Sequence, residues 1–282
     1  MKSRRTIPVA ILLGALMESC GPSSSTTEAT KPAVVEPDRK ESLYRRGHKF
    51  FVERDYDNAR IILEQALVLD STYLAPLVDL AQIHYDLAMR QEGERNPLRL
   101  DEFRRAMDAY ARMESAGRTD ADIYERLCEI AYALGEKELF LYYARKNADK
   151  YPYDRQYNNL GLAYAQVGDH ADVIKTQKEA IDRFPLSPFI GSFYRQLGNG
   201  YMDLDRHQTA EKTFAAGVKV VTARLLDLKQ GNSDLRNTGE YGRLTEDRMS
   251  MLISLKKLYL IYREDEKLKE VERQLKDSGY TQ

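Results

Sequence analysis

The chain has 282 residues, 43% hydrophobic and 31% charged, with 19 tyrosines, no tryptophan and only 9 prolines, which is ample material for a core and favours helices with amphipathic aromatics. With 43 basic against 44 acidic residues the net charge is -1. That balance gives no global attraction to nucleic acid, and the local basic stripe that a phosphate-binding role needs is not found in the sequence.

Residues 1–19 carry Lys2, Arg4 and Arg5, an apolar run from Ile7 to Met17, and Glu18-Ser19 ahead of Cys20-Gly21. The run falls short of the roughly 20 residues that span a bilayer as a helix and fits the h-region of a secretory signal. The Met17-Glu18-Ser19-Cys20 junction resembles a bacterial lipoprotein processing site, although Glu18 is an unusual occupant. The resemblance implies a signal peptide over 1–19 and a lipidated Cys20; the alternative is an ordinary cleaved signal with a chance cysteine beside it. Residues 21–40 are rich in Ser, Thr, Pro and Glu, with little to bury, and are expected to form a disordered tether after Cys20.

From Glu41 onward, pairs of short helices are predicted. The first pair, about 40–72, sets Gly47, Phe50, Ala59, Leu63 and Ala66 at helical spacing, with Tyr56 opening its second helix. The second has Leu77, Leu80 and Ala81, then Phe103, Ala106 and Tyr110. It is longer than the others, around a turn at 93–96 that ends in an N-cap Asn96 and a first-turn Pro97.

The third pair, about 120–152, offers Tyr124, Leu127, Cys128, Ala131, Gly135 and Pro152, with Phe140 and Ala144 in exchanged large and small positions. Cys128 stands where a small residue is expected and reads as core. In the fourth, Leu160, Gly161 and Tyr164 precede a break at Gly168-Asp169, then Val173, Ile174 and Ala180 follow, and Pro185 ends the helix. Gly161 and Ala180 have almost no side chain, so two helix axes can approach closely while Tyr164 fills the space beside them.

The fifth pair has Leu197, Gly198, Tyr201, Ala210, Phe214 and Gly217, and its second helix should run long through Val220 to Leu228. Gln230 to Gly242, with three Gly and two Asn, reads as a loop. Thr245 to Ser278 reads as a terminal helical pair whose polar outer face suits the open end of a stack.

The fourth pair resembles the tetratricopeptide repeat (TPR), through Gly161, Tyr164, Val173, Ala180 and Pro185, and Ala81 follows Gly47 at the 34-residue TPR period. The resemblance implies an all-α fold: a right-handed α-solenoid of about five TPR-like hairpins over 41–230, with a loop and capping helices over 231–282. It also implies a concave groove lined by the first helix of each hairpin. The groove would present Tyr44, Arg45, His48 and Phe51, then Asp79, Gln82 and Tyr85, then Glu125, Arg126, Glu129 and Tyr132. Asn158, Asn159, Leu162 and Gln166 come next, and Arg195, Gln196, Asn199 and Met202 at the far end.

Aromatics beside amides suit an extended peptide or a helix, because rings supply contact area while amides pair with backbone groups. The clamp that some TPR domains use for a C-terminal carboxylate is not supported, because Tyr44, Val78, Glu125 and Asn158 occupy positions where it needs cations and only Arg195 is basic. His170 and His207 fall at equivalent positions after their turns, which favours structural roles. No HExxH, GxSxG or complete Gly-rich phosphate loop occurs, so no catalytic residue, metal or cofactor is expected.

The expected function is a lipid-anchored extracytoplasmic scaffold that binds a protein or peptide partner in envelope complex assembly. It is expected to associate with the membrane through its lipid, and no nucleic-acid partner is expected. Gly21 after Cys20 favours the outer membrane over the inner. The alternative is a regulatory or localising subunit for an envelope hydrolase.

Overall fold

A computed structural model describes residues 37–231 and 239–278; the signal segment, Cys20 and most of the tether lie outside them. The described residues form twelve α-helices and no strand. In chain order these are α1 (Pro37–Val52), α2 (Tyr56–Leu69), α3 (Leu74–Arg90), α4 (Pro97–Ser115), α5 (Ala121–Leu134) and α6 (Lys137–Lys150). There follow α7 (Asp154–Val167), α8 (His170–Arg183), α9 (Ile190–Asp203), α10 (His207–Gly231), α11 (Gly239–Tyr262) and α12 (Asp265–Asp277). Among the described residues, no helix is long and apolar enough to cross a membrane.

Local chemistry sets the hairpin boundaries. Asp55, Asn96, Asp120 and Asp169 each accept a backbone N–H from the first turn of the following helix, supplying a partner that helix geometry leaves missing. Pro97 opens α4 as expected, and the long second hairpin is the elongated pair α3 and α4. Gly135 and Gly168 end α5 and α7 in the left-handed region. Arg54, Asp205 and Arg263 hold the same conformation in their turns with side chains that disfavour it.

Inside the hairpins a two-residue pairing recurs. A Cβ built on Gly47 would lie 2.8 Å from the Leu63 side chain, one on Gly198 would lie 2.2 Å from the Phe214 ring, and one on Gly161 would lie 1.6 Å from the Gln177 amide. The three pairs share one sequence spacing, so in each hairpin a bulky residue of the second helix fills the space a glycine leaves in the first. The pair at that spacing in α11 and α12 is Lys256 and Glu272, an ion pair at 3.2 Å. Tyr259 in α11 is buried like Tyr201 in α9, and Arg263 repeats the turn conformation of Asp205. The expected capping pair is thus a sixth hairpin, stacked in register with the others and carrying an ion pair where they carry an uncharged filler against a glycine.

Two boundaries differ from expectation. α1 begins at Pro37, ahead of Glu41, and Lys40 in its first turn ties to Asp70 at 2.5 Å. The expected loop from Gln230 to Gly242 is helical at both ends, with α10 reaching Gly231 and α11 starting at Gly239; residues 232–238 lie outside the described set. Leu228 and Leu244 are buried, and Arg224 pairs with Glu240 at 3.0 Å, which holds the two extensions together despite their glycines.

Each helix packs on the next, and first helices also meet one another at both ends of the stack: α1 on α3, α7 on α9 and α9 on α11. No comparable approach is made by α5 to α3 or α7. The buried apolar residues form two clusters, one spanning α2 to α6 with Ala163 of α7, the other running from Tyr157 of α7 and Ala180 of α8 to α12.

Candidate functional site

Where α5 stands off from its neighbours, long polar side chains bridge the gaps. The Tyr85 hydroxyl of α3 donates to Glu129 Oε1 of α5 at 2.5 Å, and Arg126 Nη1 donates to the other oxygen of Glu129 at 2.8 Å. The Arg126 guanidinium lies over the Tyr85 ring at 4.4 Å, a cation–π contact. Burial, followed by the Glu129 carboxylate, pushes the Tyr85 phenol up to about 12. On the other side, Gln156 Nε2 of α7 donates to Glu125 Oε1 at 2.8 Å, and Arg155 lies 3.5 Å from the same carboxylate.

Three cavities open along these bridges. One of about 360 Å³ lies between α3, α4 and α5, lined by Gln82, Tyr110, Ile123, Glu125, Arg126 and Glu129 among others. A second, about 410 Å³, has an apolar floor of Cys128, Phe140, Leu162 and Phe189 and a rim that includes Arg126, Tyr132, Arg155 and Asn159. The third, about 440 Å³, reaches from Glu129, Tyr132 and Gln166 to Met89 and Arg99 of the elongated second hairpin.

Glu129 borders all three cavities, and Tyr132, 51% exposed, forms the ridge between the last two. Tyr132 is braced edge-on by Phe140 with ring centroids 5.6 Å apart. Asn159 and Gln166 make no hydrogen bond with other described side chains, so their amides are open to a ligand's backbone. Cys128 is buried, and that burial pushes its thiol up to about 12, so it packs and does not react.

Of the residues expected to face a groove, it is those of the middle hairpins that line these cavities. Gln82, Arg126, Glu129, Tyr132, Asn159, Leu162 and Gln166 line connected cavities. Tyr85, expected as a groove aromatic, is 7% exposed and serves as a bridge, because its ring is covered by Phe103 and Arg126.

At the near end the His48 ring lies tilted between those of Tyr44 and Phe51 in α1, and His48 Nδ1 meets the buried Asp79 at 2.7 Å. Arg45 is spent on Glu41. At the far end Arg195 Nε and Ser192 Oγ both donate to the buried Asp247 of α11, at 2.7 and 2.8 Å. Gln196 donates to Asn158 Oδ1 at 2.9 Å. These residues hold helices together; Asn199 stays exposed and Met202 packs against the C-terminal cluster, away from the three cavities.

Arg155, Phe189, Met89 and Arg99 line these cavities without having been expected to face a groove. Arg155 lies a turn ahead of Asn158 and Asn159 on one helix, a signal the sequence contained. Phe189 sits in the joint after Pro188, and its aim into the second cavity depends on how α9 docks. Among the described residues, no group of three or more His, Cys, Asp or Glu could hold a metal ion.

No protein-family model matches the chain, and no curated protein matches it. Solved structures do. The crystal structure of MamA protein is 20% identical, covering 65% of this chain and 92% of its own, with a TM-score of 0.50. YrrB, described as a TPR protein with an unusual peptide-binding site, is 13% identical over 63% of this chain and 84% of its own, also at 0.50. At such identities the likeness is one of fold: the described chain is an all-α solenoid of TPR-like hairpins.

Proposed function

We propose that the chain is a lipid-anchored, extracytoplasmic scaffold of the bacterial envelope that holds an extended segment of a partner protein between α3, α5 and α7 and so serves assembly of an envelope complex. The observation that carries the reading is the meeting of three cavities at Glu129, with Tyr132 as an exposed ridge between two of them. A row of adjoining cavities suits an extended peptide, whose side chains enter in succession while free amides pair with its backbone. YrrB, of like fold, has a peptide-binding site of its own. For the anchor, support comes from the apolar run, Ser19 and Cys20 in the sequence.

The test is capture from detergent-solubilised envelopes by the parent chain and by a Tyr132→Ala, Asn159→Ala double variant of unchanged thermal stability. Loss of a partner only from the variant is expected; equal capture by both would place binding elsewhere. A hydrolase activity recovered with the parent would replace assembly with localisation of that enzyme. For the anchor, an alkyne fatty acid should label the parent and not Cys20→Ser, and label retained on Cys20→Ser sinks that part.

A further inference from the structure

The divide between the two apolar clusters falls in the fourth hairpin, and buried polar side chains concentrate there. Asn147, Gln156, Thr176, Gln177 and Gln196 are all buried between α6 and α9. Two of them occupy slots that are apolar in the first and fifth hairpins or in the first, where Leu63, Phe214 and Ala66 stand. Gln177 is fully buried against Gly161, in the place Leu63 and Phe214 take against their glycines. Asn147 takes the closing backbone bond of its helix, from Tyr151, as Ala66 takes that of α2 and Ala180 that of α8.

Neither residue repays its burial in full. Both amide atoms of Asn147, Oε1 of Gln156 and Oε1 of Gln177 lack a hydrogen-bond partner, and leaving such groups unpaired inside a protein is costly. Gln177 Nε2 has two partners, Tyr157 O and Gln196 Oε1, both at the long distance of 3.2 Å. A boundary with weak polar ties and no continuous apolar packing is where a solenoid opens at least cost, because stacked hairpins are coupled only through their neighbours.

The second cavity straddles this boundary. Cys128, Tyr132 and Phe140 on one wall belong to or pack with the first cluster, whereas Phe189 on the other packs against the second.

We propose that the solenoid bends at the polar seam around Asn147 and Gln177, and that this bending sets the width of the cavity between α5 and α7. Only the second clause rests on the groove as the binding surface; the bend stands or falls without a ligand.

The experiment uses the full chain with Cys20→Ser and spin labels at Val68→Cys and Lys276→Cys, both exposed and one in each half. Cys128 stays unlabelled because it is buried. In the absence of any ligand, the distance distribution between the labels should be broad. Asn147→Ala breaks no hydrogen bond and restores the alanine of the equivalent slots. It should narrow the distribution roughly twofold and raise Tm by about 3 °C.

A narrow parent distribution, or one that a folded Asn147→Ala leaves unchanged, overturns the proposal. Should that variant fail to fold, Gln177→Met, close in volume, carries the same expectation. Hydrogen exchange on the unsubstituted chain is a further check: α7 and α8 should exchange faster than α5, α6, α9 and α10, and equal protection rejects the seam.

Discussion

The middle and the far end of the stack tie their first helices together to opposite effect. At the far end, Ser192 and Arg195 of α9 reach one buried carboxylate, Asp247, and a Cβ on Gly191 would lie 2.9 Å from that residue's own Cβ. A serine, an aspartate and a glycine at the contact let α9 and α11 close on each other. In the middle, Tyr85 to Glu129 and Gln156 to Glu125 make the same kind of tie with longer side chains, and cavities remain beside them. Where Gly161 faces Gln196 and Gly191 faces Asp247 the first helices close, and around α5, which has no glycine, cavities remain.

Breaking the short tie should have the largest effect. Asp247→Ala leaves Arg195 without its partner and Ser192 without an acceptor in a buried setting, and removing one member of such a pair is expected to cost about 3 kcal/mol in urea unfolding. A loss below about 1 kcal/mol would mean that water replaces the carboxylate and that the end is looser than its packing indicates.

Filling a glycine beside its bulky partner comes next. Gly198→Ala gains about 1 kcal/mol of helix propensity but drives a methyl group into the Phe214 ring, fully buried at its slot, an overpacking cost of about 1–3 kcal/mol. A net destabilisation of about 1 kcal/mol in thermal or urea unfolding is expected. A stabilised variant would show that the ring can move and that the pairing is not tight.

In the middle, Tyr85→Phe keeps the ring under Arg126 and removes only the hydroxyl donated to Glu129. It should cost about 1 kcal/mol in urea, because Glu129 is exposed enough for water to take over. The sharper readout is the groove: Tyr85→Phe should alter partner binding, where Tyr85→Ala would also empty part of the core. Unchanged binding would remove Tyr85 from the groove's architecture.

These contrasts also show what the sequence could and could not say. Hairpin order, the long second hairpin, the cap at Asn96-Pro97 and the burial of Cys128 were legible, because breakers, caps and small residues act through nearby chain. The glycine to bulky-residue pairing was half legible: Gly161 was visible as a point of close approach, but that Gln177 fills it depends on the neighbouring helix. The polar terminal pair read as a cap, and its nature as a sixth hairpin emerged only from Lys256 meeting Glu272. The groove was the least legible. Tyr85 and Tyr132 occupy first helices at similar positions, yet one is a buried bridge and the other an exposed ridge. That difference arises from how far α5 stands from α3, which no residue spacing encodes.

The turns offer the smallest effect and test whether the sixth hairpin is held like the others. Arg263 sits at φ 55° where Gly135 and Gly168 sit at 74° and 80° in their turns. A side chain in that region costs about 1–2 kcal/mol, and glycine relieves it while adding back some unfolded-chain entropy. Arg263→Gly should therefore stabilise the chain by about 0.5 kcal/mol in urea unfolding, with no effect on partner capture. A gain of that size in Arg54→Gly but not in Arg263→Gly would mean that the terminal hairpin frays before the rest unfolds. Its Lys256–Glu272 pair would then fall short of the work that Leu63 and Phe214 do in the hairpins they fill.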